Sequence, residues 1–85
     1  MAGQMSRGSL YPFMDRGVLT DGNKAVQSGI YRGVGSSVNV IGGYGVLAVF
    51  YTNNYVYQQF VSSEAKVYTR LSTDEGSNWT DWAQL

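Results

Sequence analysis

The sequence predicts an all-β chain: a small antiparallel β-sandwich or knob of five to six short strands, preceded by an N-terminal arm. Three observations point there. Apolar residues come in short runs or in strict alternation, and no window carries a helical period. Glycines and asparagines break these runs at short intervals, at Gly33, Gly42-Gly43, Asn53-Asn54 and Gly76. The longer runs are rich in β-branched and aromatic residues, which suit a pleated, half-buried surface.

Residues 1–28 read as an arm or linker, rich in Gly, Ser, Asp and Asn. Their one apolar cluster is Leu10-Tyr11-Pro12-Phe13-Met14. Pro12 fixes its own φ and pushes Tyr11 toward extended backbone. The cluster suits docking on the domain or on a neighbouring subunit. The β domain spans residues 29–85. Its first strand is Ile30-Tyr31-Arg32, held between Gly29 and Gly33. Val38-Asn39-Val40-Ile41 is a short second candidate, ended by Gly42-Gly43. Residues 45–51 and 55–61 are largely apolar and aromatic, residues 66–72 alternate, and residues 79–85 add a sixth candidate.

Asn53-Asn54 is the strongest hairpin signal, because Asn tolerates the positive φ of a two-residue loop. With that loop, Phe50 faces Tyr57, Val46 faces Val61, Leu47 faces Phe60 and Tyr51 faces Val56. Both faces of the hairpin are then apolar, so a second layer or a partner subunit is expected to cover each. In the strand that follows, Val67, Thr69 and Leu71 share one face and Lys66, Tyr68 and Arg70 the other. That strand reads as half exposed, with Arg70 free to pair with an acidic residue.

Composition excludes several function classes. A chain of 85 residues is one domain. It buries only about 60–65 % of its unfolded surface, so oligomerisation would help it. Six basic and six acidic residues balance, which gives no long-range pull toward nucleic acid or anionic membrane. The chain has no cysteine and no histidine, so it lacks disulfides, the usual zinc ligands and the commonest general base. No stretch approaches the roughly 20 apolar residues of a membrane span, and Met1-Ala2-Gly3-Gln4 does not open like a signal peptide. The expectations are no cofactor, no metal, no nucleic acid and no membrane insertion.

Ser72-Thr73-Asp74-Glu75-Gly76-Ser77-Asn78-Trp79 follows the pattern S-x-D-x-G-x-x-W and resembles the Asp-box turn. Its logic is local: Asp74 accepts backbone N–H groups, Gly76 takes a positive φ and Trp79 tucks its ring beneath. Asn78 stands where that turn usually has Thr. The resemblance implies a structural role. A wider resemblance covers roughly residues 19–84: Gly29-Ile30-Tyr31-Arg32, then residues 44–50 and 55–60, then Lys66-Val67-Tyr68-Thr69-Arg70, then Asp74 to Gly76 with Trp79 and Trp82. In that order these segments resemble the pyocin-knob domain of phage and pyocin tail fibres. The segment between Arg32 and Tyr44 departs from it in lacking a proline. The resemblance implies a virion protein made in the host cytoplasm, assembled as a homotrimer with other virion proteins near the host-facing end.

Tyr51, Tyr55 and Tyr57 crowd the hairpin tip beside Asn53 and Asn54. Sheet packing and subunit contact are the plainer role for these tyrosines, and a platform for sugar rings the sharper one. Trp79 suits packing under its turn. Trp82 beside Asp81 suits either a rim or a ligand cleft. The candidate ligand-binding residues are therefore Tyr51, Asn53, Asn54, Tyr55, Tyr57, Asp81 and Trp82. Neither Asp74 with Glu75 nor Asp81 with Glu64 suits glycoside hydrolysis, which needs two carboxylates about 5–9 Å apart astride a sugar. Lys66, Tyr68 and Arg70 interleave charge and aromatics as a single-strand nucleic-acid binder does, and the zero net charge opposes that. The expected function is attachment to a bacterial surface glycan, without catalysis. The alternative is a capping, trimerisation or anchoring module with no ligand of its own.

Overall fold

The structure is a computed structural model and describes residues 14–85. The cluster at residues 10–13 lies outside the described residues. The domain is all-β. Its strands are β1 (Asp15–Val18), β2 (Gly29–Gly33), β3 (Gly45–Thr52), β4 (Tyr55–Ser62), β5 (Val67–Ser72) and β6 (Ala83–Gln84). They form one six-stranded sheet in chain order. β1 lies parallel to β2, and every later pair is antiparallel.

The hairpin of β3 and β4 has the register that its sequence implies. Phe50 pairs with Tyr57, Val46 with Val61, Leu47 with Phe60 and Tyr51 with Val56. Side chains alternate between the two faces of a strand, so this register sends Leu47, Val49, Val56 and Phe60 to one face. All four are fully buried. The opposite face stays open: Val46 is 47 % exposed and Phe50 46 %.

What covers the buried face is an irregular layer rather than a second sheet, and here the sandwich expectation needs refinement. The layer has three parts. The connection from β1 to β2 crosses this face through a 3-10 turn at Gly22–Lys24 and buries Leu19 and Ala25. A parallel pair requires such a crossover. The β2–β3 connection packs Val40 against the core, and the β5–β6 connection packs Trp79 and Trp82. The strand expected at residues 38–41 does not form. Val38 makes a single bridge to Asp21, and Asn39 turns to φ +58°, which ends extended backbone. The strand expected at residues 79–85 shortens to Ala83–Gln84. Residues 14–28, expected as part of an arm, supply an edge strand and two core side chains.

A buried polar row ties this layer to the sheet. Gln58 donates from Nε2 to the carbonyls of Gly22 (2.7 Å) and Ala25 (2.9 Å). Its Oε1 accepts from Arg70 Nε at 2.8 Å. Arg70 Nη2 donates to the Asn39 carbonyl at 3.2 Å. The guanidinium lies over the Trp79 ring at 4.1 Å and the Trp82 ring at 4.5 Å. One glutamine–arginine pair thus touches all three covering segments. Each such bond contributes about 1 kcal/mol, and leaving one partner buried and unpaired costs about 1–3 kcal/mol. Arg70 is therefore not the half-exposed cation expected from the alternation. It is 8 % exposed, and among the described residues no carboxylate pairs with it. Burial lowers its pKa to about 10, with Asp21 opposing the shift, and it stays cationic at neutral pH.

Candidate functional site

The hairpin tip is the site that its sequence singles out. Asn53 and Asn54 adopt φ +45° and +75°, the paired left-handed geometry of a two-residue hairpin turn. Both are exposed, as are Tyr51 (41 %) and Tyr55 (52 %) on the strand ends beside them. The tip is braced. Tyr51 donates its hydroxyl to Glu75 Oε2 at 2.6 Å, and the Glu75 N–H donates to the Asn54 carbonyl at 2.8 Å. The Tyr51 N–H donates to Ser28 Oγ at 2.9 Å. The bond to Glu75 holds the Tyr51 phenol above its usual pKa.

Glu75 sits in place through the turn at residues 72–79. Ser72 Oγ donates to Asp74 Oδ1 (2.8 Å) and accepts the Gly76 N–H (2.8 Å). Asp74 accepts the Asn78 N–H on Oδ1 (2.9 Å) and the Asn78 amide on Oδ2 (2.8 Å). Asn78 thus bonds Asp74 through both its backbone and its side chain. These donors, Asn78 first, hold the Asp74 carboxyl down at a pKa of about 2. Gly76 has φ +89°, and a Cβ there would meet Val26 and press toward Trp79. Asp74, Gly76 and Trp79 thus act as a turn that carries Glu75 to the tip.

The structure gathers Tyr51, Asn53, Asn54 and Tyr55, and it adds Glu75. It does not bring the other three candidates to them. Tyr57 lies on the open face, its ring 5.8 Å from Phe50, and donates to Gln59 Oε1 at 3.2 Å. Trp82 is held edge-on to Phe60 at 6.5 Å and over Arg70, far along β4 from Tyr55. Asp81 is exposed beside it.

Sequence reasoning missed a concave place elsewhere on the sheet. A shallow groove of about 740 Å³ opens at the opposite end of the sheet, where β2 ends and β3 begins. Ile30 and Val46 line it with Asp15, Arg32, Tyr44 and Ser63. Its volume falls within the roughly 300–1,000 Å³ of ligand pockets. The parallel pairing sets Asp15 beside Ile30, and no local pattern announces a parallel edge strand. Tyr44 set between Gly43 and Gly45, and Arg32 in β2, were the available signals.

Among the described residues no three potential metal-ligating side chains gather, and no helix is long and apolar enough to cross a membrane. Compared with protein families, with characterised proteins and with solved structures, the chain matches none.

Proposed function

We propose that this chain is a recognition module of a phage virion, part of a tail fibre or appendage, that attaches to bacterial surface glycan through the β3–β4 tip. The observation that carries this is the exposed quartet Tyr51, Asn53, Asn54 and Tyr55, braced by Glu75 on a rigid hairpin. Tyrosine joins an apolar ring to a polar end, so it can stack on a sugar face and bond its rim. The asparagine amides offer both donors and acceptors. The knob resemblance in the sequence supports the same reading. So does the occupation of the acidic residues: Asp74 is bonded within its turn and Glu75 to Tyr51, which suits binding rather than catalysis. Repeated copies in a homotrimer add avidity, so weak binding by each copy suffices. A glycan array probed with the assembled protein tests this. The expected result is a saccharide class whose signal falls at least tenfold in Tyr55→Ala. An array on which the folded wild type stays silent contradicts it.

The open face favours a second reading, in which the module trimerises, caps or anchors a fibre. Phe50, Tyr57 and Leu71 form one row across β3, β4 and β5 on that face, and Phe50 is substantially exposed. Light scattering over a dilution series tests it. A persistent trimer that Phe50→Lys dissociates supports the reading, and a folded monomer at all concentrations refutes it.

A further inference from the structure

We propose that the groove at the opposite end of the sheet is a second saccharide site, shaped for a neutral pyranose residue; this rests on reading the chain as a glycan binder. Four features of the groove make the argument. Ile30 and Val46 give it an apolar floor, which suits the less polar face of a sugar ring. Tyr44 lines it at 56 % exposure and packs over Gly35, where a Cβ would come within 3.1–3.3 Å of the ring and hydroxyl. An aromatic supported from behind loses little freedom when a ligand stacks on it. Asp15 is oriented by the Gly17 N–H, which donates to its Oδ1 at 2.9 Å. Among the described residues its other oxygen has no hydrogen-bond partner and can accept from a ligand hydroxyl. Arg32 provides the donor.

The charges decide the ligand class. Arg32 and Asp15 line the same groove without pairing with each other; the ion pair among the described residues joins Lys66 to Glu64. One guanidinium that donates and one carboxylate that accepts, not paired with each other, suit the neighbouring hydroxyls of a diol, one accepting and one donating. A uronate would gain from Arg32 and lose against Asp15. Ser63 adds a hydroxyl and is fixed to Tyr44, whose carbonyl accepts the Ser63 N–H at 3.1 Å. The groove and the tip lie at opposite ends of β3, so one chain can hold two points of a glycan or two glycans.

The test is a 15N NMR titration of the whole chain. The probes are the methyl glycosides of glucose, galactose, mannose and N-acetylglucosamine, with methyl glucuronide as the charged comparison. Amides of Arg32, Tyr44 and Gly45 report the groove, and those of Asn53, Asn54 and Tyr55 the tip. At least one neutral glycoside is expected to shift the groove amides. Tyr44→Ala, and separately the surface change Arg32→Gln, should each weaken that binding at least tenfold and leave shifts at the tip unchanged. Groove amides that stay silent with all four neutral sugars overturn the proposal, whatever the tip does. Shifts at the tip alone would leave the recognition reading standing while the groove falls; silence at both would remove both. Preference of the groove for the glucuronide would overturn the assignment to a neutral sugar.

Discussion

At the scale of single residues, Arg70 shows what a long-range environment does to a side chain. Its alternation with Lys66 and Tyr68 reads as a half-exposed strand, with Arg70 free to pair with an acidic residue, yet its contacts come from Gln58, Asn39, Trp79 and Trp82. None of these is a sequence neighbour, so periodicity alone could not place it. Replacing Arg70 with Met removes two cation–π contacts and leaves Gln58 Oε1 unpaired. The expected cost is about 2–4 kcal/mol in urea unfolding. Asp74 is the opposite case: its partners Ser72 and Asn78 lie within four residues, and the turn was legible as a motif. The turn binds the carboxylate, so the folded pKa of about 2 lies below the ordinary value of about 3.9. The folded state therefore holds this proton less tightly than the unfolded chain. The resulting stability is present above about pH 4 and is lost as pH falls toward 2. Asp74→Asn should lower the urea midpoint at pH 7 and flatten the decline between pH 4 and pH 2. An unchanged acid decline would show that other carboxyls govern it.

At the scale of elements, the β3–β4 hairpin was readable down to its register, because two asparagines fix the loop and alternation fixes the faces. The turn also separates folding from binding. Asn54 holds φ +75°, where glycine rests without strain. Asn54→Gly should stabilise the hairpin by about 0.5 kcal/mol while removing a polar group from the tip. Thermal unfolding should then rise as glycan binding falls. Elements set by distant partners were not readable. β1 forms because it meets β2 in parallel across a crossover, and residues 38–41 turn instead of extending because Asn39 takes a positive φ. At Gly33 the β2–β3 connection lies close against the sheet. A Cβ there would run into the Gly43 carbonyl and press on Phe60. Backbone yields little, so Gly33→Ala should cost about 3 kcal/mol, measured as a lower urea midpoint.

At the scale of the whole molecule, one sheet serves two purposes. Its covered face makes the core, using irregular segments where a second sheet was expected, held by Gln58 and Arg70. The all-β class was legible because it depends on period and turn chemistry. The layer arrangement was not, because it depends on which segments fold back over which face. The open face, the tip and the groove are left exposed. Retention of labelled protein on a panel of bacterial cells, with wild type set against Tyr51→Ala/Tyr55→Ala, tests the recognition claim most directly. Wild type is expected to be retained on at least one strain, and the folded double variant to lose at least nine-tenths of that retention. Equal retention of the two proteins, or none by assembled wild type on any strain, would contradict it.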